Sequence, residues 1–166
     1  MEEKKFSMRD NPALNATHEA LARRALPDWI LDHLKQYQED PDAAQWWDGR
    51  PFGGHERTPT LLLTTQGRKS GRVSTMPLIY GKDGGRYVLV GSKGGAADHP
   101  AWYLNLLANP LVELQVGEEQ FRARGRDADP AERQRLMEMM TSVYPPYSAY
   151  QERTDRVLPV VVLERV

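Results

Sequence analysis

The sequence predicts a mainly β fold with flanking helices, in which about six antiparallel strands form a small closed or partly split barrel. Three observations predict it. Apolar, β-branched segments recur from residue 60 onward, glycine-containing turns join most of them, and apolar and charged side chains alternate along the hairpin at 112–126. Short turns between successive strands are typical of antiparallel sheets, and this number of strands with glycine-rich corners favours a barrel.

The chain before the sheet is predicted to be helical. Two helices and an irregular linker are predicted, at 11–26, 27–40 and 42–57. In the second helix, Ile30, Leu34 and Tyr37 fall on one face, which is typical of a helix packed against a core. Residues 1–57 are therefore predicted to be a helical segment with a linker, and residues 58–166 a β-domain.

The β-domain is predicted to contain strands interrupted by two helices. The strands are predicted at 60–65, 72–80, 86–93, 112–116, 121–126 and 158–166. One helix begins after Pro100 and ends at Asn109, which precedes a second proline. The other begins at Asp129, where an acidic Glu132 completes a capping box, and ends at Pro145.

Composition excludes several classes of protein. The 166 residues carry a formal net charge of −1, so no overall field draws the chain to nucleic acid, and any anion site has to be local. The absence of cysteine excludes disulfides and thiol chemistry, and no histidine has a helical metal-ligand spacing, so no metal site is predicted. The first residues lack a signal-peptide pattern and no apolar run is long enough to cross a membrane, so we expect a cytoplasmic protein.

The segment Thr64 to Arg72, TTQGRKSGR, has the composition of a phosphate-binding loop. Its spacing differs from G-x-x-x-x-G-K-[ST], and the β-branched residues after it do not predict the helix that such a loop needs. It therefore predicts a basic turn between two strands, with Arg68, Lys69 and Ser70 at its tip. By itself, the turn indicates either a solvated hairpin tip or a local anion site.

Three further segments are candidates for ligand contacts. GSKGG at 91–95 is a small loop with many backbone amides and one cation, and YPPYSAY brings Tyr144, Tyr147 and Tyr150 close to two prolines. Trp102 lies on the short helix after Pro100. Each segment also has an ordinary interpretation, as a turn or as packing, because tyrosine bodies commonly pack in cores.

Taken together, these segments resemble a known family. LLLTTQGRKSGRVSTMPLIYGKDGGRYVLVGSKGGA, HPAWYLNLLANP and YPPYSAYQERTDRVLPVVVLE are similar, in this order, to the actinobacterial deazaflavin-dependent nitroreductases of the flavin/deazaflavin oxidoreductase superfamily. The similarity extends almost continuously from Leu61 to Val166, and the first 57 residues match poorly. The resemblance implies a six-stranded antiparallel split β-barrel and the cofactor coenzyme F420, an 8-hydroxy-5-deazaflavin whose tail carries a phosphate and several glutamates.

The resemblance also implies which residues contact this cofactor. Arg68, Lys69 and Ser70 would meet the acidic tail, and Tyr147 would cover the ring. The other expected contacts come from the next strand, the second loop and the short helix: Ser74, Thr75, Met76, Pro77, Leu78, Ile79, Val90, Gly91, Ser92, Lys93, Ala101, Trp102, Tyr103, Leu104 and Asn105.

The reaction implied is hydride transfer from the reduced deazaflavin to a quinone, an enone or a nitroaromatic compound. Ser92, Tyr144, Tyr147 and Tyr150 would hydrogen-bond the oxygen on which negative charge develops. One position departs from the family, because members that reduce nitroimidazoles well carry Tyr where this chain has Ile79. Tyr80 follows directly, but one residue along a strand reverses the face, so we expect that Tyr80 cannot replace it.

Two alternatives stay open. An FMN-dependent oxidoreductase of the same fold is one, although a mononucleotide phosphate needs fewer cations than an acidic tail. The other is a non-enzymatic cofactor- or quinone-binding protein whose helical N-terminus associates with a membrane surface. Against the latter, residues 28–42 are acidic, which is the wrong sign for anionic lipid. The natural acceptor and the oligomeric state do not follow from the sequence.

Overall fold

The structure, a computed structural model, describes residues 26–166, so the helix predicted at 11–26 lies outside the described residues except for its last position. The predicted class, mainly β with flanking helices, is confirmed. The helices are α1 (Asp28–Glu39), α2 (Pro41–Ala44), α3 (Ala101–Ala108), α4 (Pro130–Val143) and α5 (Tyr147–Glu152). The strands are β1 (Trp46–Trp47), β2 (Thr58–Gln66), β3 (Val73–Ile79), β4 (Gly81–Asp83), β5 (Arg86–Val90), β6 (Leu111–Val116), β7 (Glu119–Asp127) and β8 (Val160–Arg165).

The predicted count of six strands is wrong, because the described residues form eight. The two additional strands are short. β1 lies inside the predicted linker and pairs with the start of β2. β4 begins just after the predicted strand at 72–80 and pairs with β5. Segments of two and three residues are too short to show a period of two in the sequence.

The strands form one curled antiparallel sheet in the order β1-β2-β6-β7-β8-β5-β4. β3 is not in this order and, among the described strands, pairs with β2 alone. Tyr80 alone separates β3 from β4. Because β3 pairs with β2 and β4 pairs with β5, this bent segment connects strands that lie far apart in the sheet order.

Both faces of the central strands are buried. On β5 and β8, Val88, Val90 and Val160 face one hydrophobic cluster, and Leu89 and Val161 face the other. The first cluster lies under α4 and contains the tyrosines of α5, and the second contains Trp102 and Leu106 of α3. Two buried faces explain why these strands are continuously apolar in the sequence.

Helix α1 packs against β3, and its predicted inner face is largely confirmed. Ile30 and Tyr37 are buried, and Leu34 is half-buried. The Tyr37 hydroxyl donates to the backbone oxygen of Thr60 at 2.6 Å, which fixes the helix to β2. No described helix has the length and apolar character needed to cross a membrane.

Two helices position the tyrosine segment. The predicted capping box of α4 is present, with Asp129 and Glu132 in the expected roles. After α4 ends, the chain that follows the two prolines forms the short helix α5, which the sequence analysis did not predict, with Pro146 directly before its first residue. A proline is tolerated there because the first turn of a helix has no intrahelical partner for its amide.

Candidate active site

A cavity of about 380 Å³ lies between α1, β3, the loop after β5, the start of α3, and the tyrosine segment. This volume is within the range of ligand sites in proteins, about 300–1,000 Å³. Its walls are mainly aromatic and aliphatic. The lining residues are Leu26, Trp29, Ile30, His33, Trp47, Phe52, Thr60, Ser74, Met76, Pro77, Leu78, Ile79, Val90, Ser92, Lys93, Gly94, Pro100, Ala101, Trp102, Tyr144, Tyr147 and Tyr150.

One wall is a group of aromatic rings from the first part of the chain. The ring centroids of Trp29 and Trp47 are 5.4 Å apart, and Phe52 lies 5.3 Å from Trp29 and 5.5 Å from Trp47. Trp47 also contacts Tyr144, at 6.3 Å. These tilted and edge-on contacts give a stiff apolar surface, which suits a flat ligand.

The three tyrosines form a second wall and differ in their hydroxyl partners. Tyr144 and Tyr150 share a hydrogen bond of 2.8 Å between their hydroxyl oxygens. The hydroxyl of Tyr147, which is only 4% exposed, has no hydrogen-bond partner among residues 26–166. Burial raises the pKa of all three phenols, that of Tyr150 to about 12, so they remain protonated donors at neutral pH.

The loop after β5 is held from behind by Arg156, a residue that sequence reasoning missed. Its Nε donates to the Ala96 carbonyl at 2.8 Å, Nη2 to the Ser92 carbonyl at 2.8 Å, and Nη1 to the Gly91 carbonyl at 3.0 Å. Nη1 also lies 3.1 Å from Nδ1 of His99. One guanidinium group therefore fixes both ends of the loop that carries Ser92 and Lys93, and burial lowers the pKa of Arg156 from its usual value.

The same loop packs tightly against α5. Lys93 has a φ of 46° and Gly95 a φ of 79°, and a Cβ atom on Gly95 would lie 2.6 Å from the Tyr150 carbonyl oxygen. Glycine is required at such a contact because any side chain would push the loop away from the helix. The position of the loop and the position of the tyrosines are thus linked.

The basic turn lies beside α3, outside the cavity lining. The backbone amide and Nη1 of Arg68 both donate to Oδ1 of Asn105, at 3.2 and 3.0 Å, and Asn105 donates to Thr65 at 3.3 Å. Arg68, Lys69 and Arg72 are exposed, and within the described part of the chain none of them pairs with a carboxylate. Three uncompensated cations on one turn form a local positive patch.

Most of the predicted site residues come together in the structure. Those that line the cavity are Ser74, Met76, Pro77, Leu78, Ile79, Val90, Ser92, Lys93, Ala101, Trp102, Tyr144, Tyr147 and Tyr150. The predicted residues outside the lining are Arg68, Lys69, Ser70, Thr75, Gly91, Tyr103, Leu104 and Asn105.

Some residues outside the lining have clear partners elsewhere. Thr75 shares a hydrogen bond of 2.8 Å with Thr64 across the hairpin, and the Tyr103 hydroxyl donates to Asp127 at 2.7 Å. A Cβ atom on Gly91 would lie 2.6 Å from Cγ of Pro159, so this glycine is required for the approach of the chain before β8. The last residue of β3 and the residue after it agree with the predicted reversal of face. Ile79 lines the cavity, whereas Tyr80 lies in the second cluster and accepts a hydrogen bond from Gln45 at 2.7 Å.

Comparison with known proteins identifies the family. The sequence profile of the F420H(2)-dependent quinone reductase family matches residues 37–165. The chain belongs to this family. It is therefore an oxidoreductase whose cofactor is coenzyme F420, which decides between this cofactor and FMN.

A curated protein and two solved structures are similar to this chain. The F420H(2)-dependent quinone reductase Rv1261c of Mycobacterium tuberculosis (strain ATCC 25618 / H37Rv) is 42% identical over 110 residues, which cover 64% of this chain and 74% of that protein. The solved F420-H2 dependent reductase FDR-A is 40% identical with a TM-score of 0.59, over 64% of this chain and 94% of that chain. A structure described as a domain-swapped dimer is 33% identical with a TM-score of 0.61, over 82% of this chain and 98% of that chain.

The matched family profile begins at residue 37, and four of the cavity residues given above lie ahead of it. Trp29, Ile30 and His33 come from α1, and Leu26 precedes it. The linker contributes Trp47 and Phe52. The sequence analysis missed both residues, and two aromatic side chains in a glycine-containing linker are the signal that could have found them.

Proposed function

We propose that this chain reduces quinones with coenzyme F420 and that the cavity holds both the deazaflavin ring and the acceptor. The observation that carries the proposal is the form of the cavity along β3. Ser74, at one end, follows the basic turn, and Ile79, at the other, lies beside the aromatic wall of α1, about 17 Å away at 3.3 Å per residue. An apolar site that extends along β3, with a cationic patch outside one end, fits an aromatic ring with an acidic tail.

The residues present fit this cofactor. The basic turn, with Arg68, Lys69 and Ser70, offers uncompensated cations to the tail, and Asn105 holds the turn in place. The ring would lie against Val90, Ser92 and the start of α3, where the Ala101 and Trp102 amides precede the first intrahelical bond. The further contacts proposed are Ser74, Thr75, Met76, Pro77, Leu78, Ile79, Gly91, Lys93, Tyr103, Leu104 and Tyr147. We further infer that the curled sheet with its bent β3–β4 segment is the split barrel of the family.

When bound, the reduced deazaflavin supplies a hydride to the acceptor. The protein supplies a dry, aromatic site and hydrogen-bond donors at its edge. Tyr147 has a protonated hydroxyl with no partner among the described residues, so it is free to donate to an acceptor oxygen on which charge develops. Tyr144 and Tyr150 donate and accept within their own pair and hold the wall in place. Ser92, on the loop that packs against α5, adds a second hydroxyl to the lining.

Quinones are favoured over nitro compounds because of Ile79. This side chain offers apolar surface where a phenol would offer a hydrogen bond, and Tyr80 is turned to the other face. A site with one donor fewer loses more rate toward acceptors whose transition state places much charge on one oxygen.

The test is steady-state turnover of reduced F420 with menadione and with a nitroimidazole. We expect wild type to prefer menadione, and Ile79→Tyr to raise the nitroimidazole rate about tenfold or more relative to the menadione rate, since one transition-state hydrogen bond is worth roughly ten- to a thousandfold. Ile79→Phe, which adds the ring without the hydroxyl, separates shape from hydrogen bonding. A wild type that prefers the nitro compound would contradict the proposed acceptor class.

Charge reversal in the basic turn is expected to weaken F420 binding. Lys69→Glu puts a negative charge between Arg68 and Ser70, so affinity at low salt should fall about tenfold or more, and the loss should shrink as salt rises, since exposed charges are screened within about 10 Å at 0.1 M salt. Fluorescence titrations with long- and short-tailed F420 measure it. Lys35→Glu, on the exposed side of α1, is the matched control. An affinity independent of salt, tail length and Lys69 would show that the tail lies elsewhere.

A further inference from the structure

The end of the cavity beside Ile79 contains a buried polar group that the reaction described above does not use. Thr60 is the cross-strand partner of Ile79, and both residues line the cavity. His33 of α1 lines the same end and is only 5% exposed. Nε2 of His33 lies 2.8 Å from the Ala44 carbonyl oxygen and 3.3 Å from Oγ1 of Thr60.

The hydrogen bonds at this end determine the tautomer of His33. A carbonyl oxygen accepts only, so Nε2 carries the proton and donates to Ala44. Thr60 directs its hydroxyl to the carbonyl oxygens of Ala44 and Gln45, at 3.1 and 3.0 Å, and Tyr37 donates to the carbonyl oxygen of Thr60. The N–H of His33 and the hydroxyls of Thr60 and Tyr37 therefore all donate to backbone carbonyl oxygens.

Nδ1 of His33 is left as an acceptor without a donor. The structure gives it no hydrogen-bond partner within residues 26–166. Burial lowers the pKa of His33, so the ring is neutral at pH 7 and Nδ1 keeps its lone pair. A buried acceptor normally has a donor, and because residues 26–166 supply none here, a ligand in the cavity can supply it.

We propose that His33 forms a hydroxyl-binding subsite at the end of the cavity beside Ile79, where Nδ1 accepts a hydrogen bond from an O–H group on a flat aromatic ligand. The proposal rests on the proposed function in taking this cavity to be the acceptor site. Two ligands of the reaction carry such a donor: a quinone that bears a hydroxyl substituent, and the hydroquinone formed by reduction. Helix α1, which lines this end of the cavity, then contributes to ligand selection.

The test compares ligands that differ only in this donor. Calorimetric titrations of 1-naphthol and 1-methoxynaphthalene into the full chain, with and without saturating oxidised F420, measure the preference without turnover. We expect wild type to bind the naphthol about three- to tenfold more tightly than the ether, the range for one neutral hydrogen bond. Equal affinities in wild type would overturn the proposal, whatever the fate of the variants.

Variants of His33 locate the acceptor. His33→Gln retains an amide donor for Ala44 and removes the nitrogen at the Nδ1 position, so the naphthol preference should disappear. His33→Asn retains an acceptor near that position and should keep part of the preference. Tyr37→Phe removes a hydroxyl from the same network without touching the cavity, and should leave the ratio unchanged. A preference that persists in His33→Gln would place the acceptor elsewhere and overturn the assignment.

Turnover distinguishes the two sources of the hydroxyl. A lower KM for 2-hydroxymethyl-1,4-naphthoquinone than for menadione, lost in His33→Gln, would assign the subsite to a hydroxylated substrate. Equal KM values, with inhibition by the hydroquinone of menadione weakened in His33→Gln, would assign it to the product. If quinone reduction itself is absent, the proposed function fails, while the naphthol titrations still decide whether the subsite exists.

Discussion

Replacing Arg156 by Met is expected to lower both stability and F420 affinity. The variant removes the donors of the Gly91 and Ala96 carbonyls. A buried carbonyl without a partner, such as that of Gly91, costs about 1–3 kcal/mol, and a half-buried one, such as that of Ala96, costs less. The Ser92 carbonyl loses less, because it also accepts from the Gly95 amide at 2.9 Å. We therefore expect a loss of about 2–4 kcal/mol in the free energy of unfolding, measured by urea denaturation.

The expected loss of F420 affinity follows from the conformational entropy of the loop that Arg156 holds. Once residues 91–96 are released, binding has to order them again, at about 1–2 kcal/mol per residue fixed. F420 affinity in a fluorescence titration should therefore fall about tenfold or more. Arg156→Lys keeps the charge and one or two of the bonds and should recover part of both losses.

Arg124→Met removes an exposed arginine from β7 and serves as the matched control, with little change expected in either quantity. An Arg156→Met protein that unfolds earlier but binds F420 with unchanged affinity would show that the guanidinium stabilises the fold without positioning the loop. Full stability in Arg156→Met would contradict the hydrogen-bond geometry itself.

Tyr147→Phe is expected to lower turnover with little loss of stability. Its hydroxyl has no partner among the described residues, so removing it leaves no buried group unsatisfied, whereas its hydrogen bond to the reacting oxygen is worth roughly ten- to a thousandfold in kcat. Both menadione and nitroimidazole reduction should fall. Steady-state kinetics and thermal unfolding of the same preparations measure the two effects.

Variants of two other tyrosines separate an effect on turnover from an effect on stability. Tyr144→Phe breaks the 2.8 Å hydrogen bond to Tyr150 and should destabilise the protein by about 1 kcal/mol or more. Tyr87→Phe changes a buried ring in the other cluster and should leave kcat unchanged. Because burial raises the pKa of Tyr147, its contribution should persist from pH 7 to pH 10, as the phenol stays protonated. Equal kcat in Tyr147→Phe and wild type would remove Tyr147 from the reaction.

The sequence predicted those parts of the molecule that local patterns specify. All six long strands and the capping box at Asp129 follow from periodicity and from local hydrogen bonds. Helix α5 was missed because Pro145 and Pro146 were interpreted only as a stop, although a proline also precedes helices well. The β4 strand was missed because its partner is β5, and pairing cannot be read from three residues.

In the candidate site, too, the residues specified by local sequence were predicted and those specified by long-range contacts were not. The residues of β3 and of the tyrosine segment belong to sequence motifs that predict a ligand site. Arg156 lies in a loop without such a motif, and its role depends on the Gly91 and Ala96 carbonyls, which lie within 3.0 Å of its guanidinium group. His33 was considered only for metal binding, because its proximity to Ile79 depends on α1 packing against β3. Long-range contacts of this kind have no signature in a single sequence.

The separation of the two hydrophobic clusters has an evolutionary consequence. Ile79, Trp47 and Phe52 belong to or adjoin the cluster that contains the tyrosines of α5, while Leu61, Leu89 and Val161 fill the other face of the same sheet. Of the described lining residues, only Leu78 and Trp102 reach that second cluster. Substitutions on the cavity side meet few side chains of the opposite core, and effects at sites without shared partners tend to add. Such a protein can acquire new acceptors by successive single changes, because the packing on the far side of the sheet stays unchanged and tolerates each of them.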